Sequence, residues 1–121
     1  MVETGYRLTS NPDTVRAPDV SFLSTKNIPA TGLPEGYISG APDLAVEIVS
    51  PNDKASDIQA KVEDYLAHGT QLVWVVYPQQ KLVVAHYPNG TARTLHHSNS
   101  DSLTGESTLP NFSCPLTDIF N

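Results

Sequence analysis

The chain holds a single cysteine, Cys114, so it can close no internal disulfide and offers no Cys pair for a zinc site. It has no apolar run near the ~20 residues that span a bilayer. Its first residues, Met1-Val-Glu-Thr-Gly5, lack the charged-then-apolar build of a secretory leader. These absences point to a reducing cytoplasm. Positive charge is also scarce, with 7 Lys and Arg against 13 Asp and Glu, for a formal net charge of -6. That disfavours a protein that grips nucleic acid mainly through a basic face, because Lys and Arg must neutralise the phosphates. It leaves room for an enzyme that recruits a divalent cation, since the ion is then the largest local positive charge. No internal repeat or low-complexity tract occurs, and 121 residues suit one domain with one core.

What is present is organised around residues 42–77. Leu44-Ala-Val-Glu-Ile-Val49 is an apolar run interrupted by one acid, Glu47. A turn cluster, Ser50-Pro-Asn-Asp53, follows. The helical pattern over 54–68 buries Ile58, Val62, Tyr65 and Leu66 on one stripe and stops at Gly69, which suits a left-handed C′ position. Ser56 and Gln59 fit a capping box, with Asp53 as a competing start. Leu72-Val-Trp-Val-Val-Tyr77 is a second buried strand. Strand 44–49, helix 54–68 and strand 72–77 predict a right-handed β-α-β unit with parallel strands. The fold class is therefore α/β, a central mixed sheet with the helix on one face.

Around this unit lie shorter elements. Residues 5–9 form an edge strand, Asn11-Pro-Asp13 a turn, and Asp19–Leu23 a strand with Val20, Phe22 and Leu23 as core. Residues 24–41, rich in Ser, Thr, Pro34 and other prolines, and Gly, form a long surface loop. Strands at 81–87 and 91–95, joined through Asn89-Gly90, make a meander. A short strand pair around Gly105 and a helical turn from Leu116 to Phe120 complete the chain. Trp74 is core, Cys114 a small buried filler, and His68, His86, His96 and His97 structural or exposed.

Three acids, Asp19, Asp43 and Glu47, stand at or inside strands. Asp43 and Glu47 share a strand face, but a regular strand sets their Cα atoms ~13 Å apart. Asp19, on a neighbouring strand, can stand beside either. Paired carboxylates repel unless a hard cation lies between them, and oxygen-only ligation favours Mg²⁺ or Mn²⁺. Glu47 also has a plain alternative as an edge-strand acid facing water. Lys61, on one margin of the helical stripe with Lys54, is either a solvated lysine or the electrostatic partner of the acids.

Several pieces together resemble a known family: Ala-Pro-Asp-Val-Ser-Phe at 17–22, Pro-Asp-Leu-Ala-Val-Glu-Ile-Val-Ser-Pro at 42–51, Lys61-x-x-x-Tyr65, and Gly69-x-x-x-Val-Trp-Val-Val-Tyr-Pro at 69–78. Leu-Thr-Gly-Glu at 103–106 and Leu-Pro-Asn-Phe at 109–112 extend the likeness to nearly the whole chain. This pattern resembles the Uma-two family of bacterial restriction-endonuclease-like proteins, long described as a domain of unknown function, with the PD-(D/E)XK nuclease fold. The resemblance implies a Mg²⁺- or Mn²⁺-dependent DNA endonuclease, a hydrolase of phosphodiester bonds. It implies Asp19, Glu47 and the main-chain carbonyl of Ile48 as metal ligands, and Asp19, Glu47 and Lys61 as the catalytic set. The lysine of the general pattern, two residues after the second acid, is Val49 here, so Lys61 takes that role, with Lys54 as the spare. Asp43, Lys54 and Tyr65 are the supporting residues. Family members carry a further N-terminal segment ahead of the strand at 5–9, and the 121 residues correspond to one nuclease-like domain without it. The alternative is a catalytically inactive nuclease-fold module for interaction or oligomerisation. A homodimer is expected, because an uncovered sheet face meets a partner.

Overall fold

The structure, a computed structural model, describes residues 1–10, 12–32 and 36–120. In chain order the strands are β1 (Tyr6–Thr9), β2 (Thr14–Arg16), β3 (Val20–Phe22), β4 (Ile38–Ser39), β5 (Leu44–Ile48), β6 (Leu72–Tyr77), β7 (Leu82–His86), β8 (Ala92–His96), β9 (Ser102–Thr104) and β10 (Ser113–Pro115). Helix α1 (Ala55–Ala67) connects β5 to β6, and α2 (Leu116–Ile119) follows β10. Asn11 and Pro34, which belong to the expected turn and loop, lie outside the described residues.

The central sheet has the order β3-β5-β6-β7-β8. Within it only β5 and β6 are parallel, as a helical crossover requires. Strand β3 lies antiparallel on the other side of β5, and β6, β7 and β8 form the antiparallel meander. The mixed α/β sheet with one main helix is thus the architecture the sequence implies.

Side-chain alternation sorts the core into two layers. Ala45, Val73 and Val75 meet Ile58, Val62 and Tyr65 of α1 on one face. Leu44, Leu72, Trp74 and Val76 meet Leu103, Leu116 and Phe120 on the other. A strand covered on both faces has to be apolar throughout, which explains the unbroken run of β6. Burying an Ile58- or Val62-sized side chain stabilises by roughly 1.5–3 kcal/mol, so this stripe does more for α1 than helix propensity. At its end the Thr70 N–H donates to the Tyr65 carbonyl and the Gly69 N–H to that of Leu66, with Gly69 at φ +107°. This Schellman closure turns the chain straight into β6.

Several local expectations are corrected. Lys54 is the N-cap of α1 and no side chain caps the helix, so the Ser56–Gln59 capping box does not form. Asp53 instead accepts the Ser50 N–H at 2.9 Å, and that local turn uses the carboxylate a cap would need. Segment 24–41 is more than a surface loop: Ile38 on β4 is buried with Tyr6 and Leu23 in a third apolar cluster. Strands β2, β1 and β4 form a separate small sheet. Val20 is 39% exposed rather than core, because β3 is the edge strand, bordered on its outer side by the short segment Met1–Glu3 through a bridge at Val2. Strand β9 pairs with β10, not with residues 107–109. Gly105 leaves it in a tight turn, accepting the Leu109 N–H and donating to the Phe112 carbonyl. Cys114 is half-buried against the core rather than fully enclosed. The helical turn at 116–119 forms as expected, with Leu116 fully buried. Among the described residues no helix is long and apolar enough to cross a membrane.

Candidate active site

The centre of interest lies where β5 meets α1. The alternation that sends Ala45 toward the helix also sends Glu47 there, two residues on. Glu47 is only 3% exposed, so it is not a water-facing edge acid. Its two oxygens are divided between two residues one helical turn apart. Lys61 Nζ lies 3.3 Å from Oε1, and the Tyr65 hydroxyl donates to Oε2 at 3.1 Å. Lys61 keeps about a third of its side chain exposed, with its stem on the margin of the stripe.

Asp19 stands opposite. The β3–β5 register pairs Val20 with Val46 and Ser21 with Ala45, and one further step sets Asp19 against Glu47. Residues opposed in an antiparallel pair point to the same face. The Asp19 carboxylate accepts the main-chain N–H of Ile48 through Oδ2 at 2.7 Å. Its other oxygen has no hydrogen bond among the described residues.

Burial pushes the Glu47 carboxyl above its ordinary value, against the pull of Lys61 and Tyr65, and the charge of Asp19 adds to the rise. The Tyr65 phenol is likewise raised, first by burial and then by the Glu47 charge, and so stays a donor. A neutral phenol and an ammonium on one carboxylate hold it in a single orientation.

The other sequence candidates divide. Ile48 is at the site through its main chain, while the residue as a whole is 47% exposed. Asp43 is not brought to the pair. Its carboxylate accepts the Ser24 N–H at 2.7 Å and the Asn27 amide at 2.8 Å, and so ties down the turn at 24–27. Lys54 is exposed at the start of α1 and makes no ion pair among the described residues. A hollow of about 230 Å³ beside the site is lined by Val49, Ser50, Asp53 and Tyr77, at the carboxyl ends of β5 and β6. Asp53 there lies in the field of Lys61.

One pair at this face is invisible in the sequence. Arg16, on β2, donates from Nε and Nη2 to a single oxygen of Asp64 on α1, at 2.9 and 2.7 Å. Its charge also reaches the Tyr65 hydroxyl, where it opposes the rise. The partners are 48 residues apart, and neither carries a local signal. Among the described residues no three His, Cys, Asp or Glu side chains gather as a metal-holding group, so the side-chain donors are the two carboxylates.

Residues 1–117 match the family model for Uma2, described as "Putative restriction endonuclease". Among solved structures the chain is similar to one titled a putative nuclease belonging to DUF820, from Anabaena variabilis ATCC 29413. The TM-score is 0.86 at 22% sequence identity, over 99% of this chain and 66% of that one. At that identity the likeness shows the fold. The chain spans 66% of the length of that neighbour. Comparison with curated proteins returns no match.

Proposed function

Because the chain belongs to the Uma2 family of restriction-endonuclease-like proteins, we propose that it is a divalent-metal-dependent DNA endonuclease. Asp19, Glu47 and the main-chain carbonyl of Ile48 are the ligands in this reading, and Lys61 completes the catalytic set. The observation that carries it is the buried Glu47 carboxylate, opposed by Asp19 and held by Lys61 and Tyr65.

The donor chemistry fits the cation. Burial leaves Glu47 under-compensated even with Lys61 and Tyr65 in contact, as the direction of its shift records. A cation beside it offsets that deficit. All the donors are oxygens, which suits Mg²⁺ or Mn²⁺ and not zinc. Mg²⁺ in particular needs only one or two carboxylates, because it keeps several waters and takes substrate phosphate oxygens. When bound, the ion polarises a phosphoryl oxygen and lowers the pKa of a water. The protein's own part is to hold Glu47 ionised and oriented through Lys61 and Tyr65, and to set positive charge from Lys61 where the phosphate gains negative charge. Tyr65 supports the site directly, whereas Asp43 and Lys54 make no contact with the Asp19–Glu47 pair among the described residues.

Calorimetric titration with Mg²⁺ and Mn²⁺, paired with nicking of supercoiled plasmid, tests this. Binding at millimolar concentration that disappears together with nicking in Glu47→Ala supports the mechanism. No binding to the unsubstituted chain removes it.

One observation favours the second reading, an inactive nuclease-fold module. The described residues gather no third acidic or His side chain at the site. Melting with and without Mg²⁺ separates the two, since a ligand that binds only the native state raises Tm. We further propose a homodimer, for which Val20 and Ile48 supply exposed apolar surface on the face away from α1. A cytoplasmic location accords with the lone Cys114.

A further inference from the structure

We propose that Arg16, held by Asp64, is a DNA phosphate contact beside the Glu47 centre. The inference rests on the nuclease reading and extends it to a residue that lies on a separate sheet. Its guanidinium spends Nε and Nη2 on one Asp64 oxygen. Nη1 has no partner among the described residues, so part of the donor fork is free to take a second anion. Arg16 and Asp64 keep 30% and 33% of their side chains exposed, and bridges that open contribute little to stability. What the bridge does provide is orientation: it fixes a long, entropic side chain with its open edge beside α1. Asp64 stands on α1 three residues past Lys61 and next to Tyr65, the two side chains that hold Glu47, so the bridge brings Arg16 to that helix at the level of the site. Lys61 contacts the carboxylate from α1, and Arg16 reaches the same helix from β2 through Asp64. Each of these cations is paired with an acid, so what Arg16 offers a phosphate is its unspent donor edge rather than net positive charge. The ligand class is a phosphodiester oxygen, and a rigid guanidinium fork matches it in geometry.

The test is binding of a fluorescently labelled DNA duplex to the full 121-residue chain without divalent cation, over a series of KCl concentrations, for wild type, Arg16→Gln and Asp64→Asn. Arg16→Gln should weaken affinity about tenfold. It should also make the slope of log K against log salt less negative by about 0.9, the share of one phosphate. Asp64→Asn keeps the guanidinium and should keep at least the wild-type slope. A bridge that only ties β2 to α1 would instead lower Tm similarly in both variants and leave both slopes at the wild-type value, which overturns the proposal. Wild type that binds while Arg16→Gln matches it in affinity and slope overturns the role of Arg16 alone. Wild type that binds no duplex at any salt overturns this proposal, while the nuclease reading stands or falls separately on the metal titration and plasmid nicking.

Discussion

Lys61 and Tyr65 sit one turn apart on α1 and take one oxygen each of the same buried carboxylate. The i, i+4 spacing that places them on one helix face is also what brings both to Glu47. Their chemistry differs, however, and so the two contacts should respond differently to substitution.

Tyr65→Phe keeps the ring packing and removes only the hydroxyl. The Tyr65 hydrogen bond lowers the Glu47 pKa, so its loss should raise that pKa further. Glu47 must be ionised to hold a cation. The acid limb of the nicking profile should therefore move to higher pH, with a stability loss of about 1 kcal/mol. A pH–rate series and a urea melt check both.

Glu47→Gln should separate stability from function. The folded-state pKa of Glu47 is raised above its ordinary 4.5, mainly by burial. An acid raised in this way binds more protons folded than unfolded, so the fold loses stability as pH climbs from near 4.5 through the folded pKa. A neutral amide in the same place carries no such loss. The variant should melt higher than wild type at neutral pH, show a flatter dependence of Tm on pH, and bind no Mg²⁺. Melts across pH, without metal, measure the first two, and calorimetry the third.

Asp43→Ala should be the mirror case. It strips two partners from the turn at 24–27 and should cost about 1–3 kcal/mol. Cation affinity should stay at the wild-type value, because Asp43 makes its bonds away from the Asp19–Glu47 pair. Denaturant melts and calorimetry on one preparation decide the point.

Gly105→Ala tests the C-terminal cover. A Cβ at this position would collide with the Leu109 carbonyl oxygen and its Cβ. Backbone cannot give way as a flexible side chain can, so a loss of about 1–3 kcal/mol is expected. The chevron or equilibrium melt of this variant against wild type reads it directly.

Much of the scaffold is legible in the sequence because it repeats a signal. The stripe Ile58, Val62, Tyr65 has helical spacing, and β6 is a six-residue apolar run. Gly69 marks where one gives way to the other. The small sheet is not legible, since β2 has three residues and β4 two, too short to show any period. The helix start misleads because Asp53 had two local uses and took the turn. At the site, Glu47 stands out as an acid within an apolar strand, whereas Lys61 on the margin of the stripe reads equally as a solvated lysine, and only the family resemblance singles it out. Arg16 and Asp64 offer nothing comparable, since tertiary folding alone brings residues 48 apart together. Asp43 reads from the sequence as one of three strand acids, with only a supporting part implied by the family resemblance, and its hydrogen bonds to Ser24 and Asn27 tie down a turn instead.

The pairing of β3 with β5 has a consequence for editing the chain. Successive residues on a strand face opposite ways, so the parity of the count between Ser21 and Asp19 decides on which side of the sheet the acid emerges. One residue added there would swing Asp19 to the far surface and leave the rest of the sheet intact. Residues added near Thr31 or Gly32, outside any pairing, would leave the acid where it is.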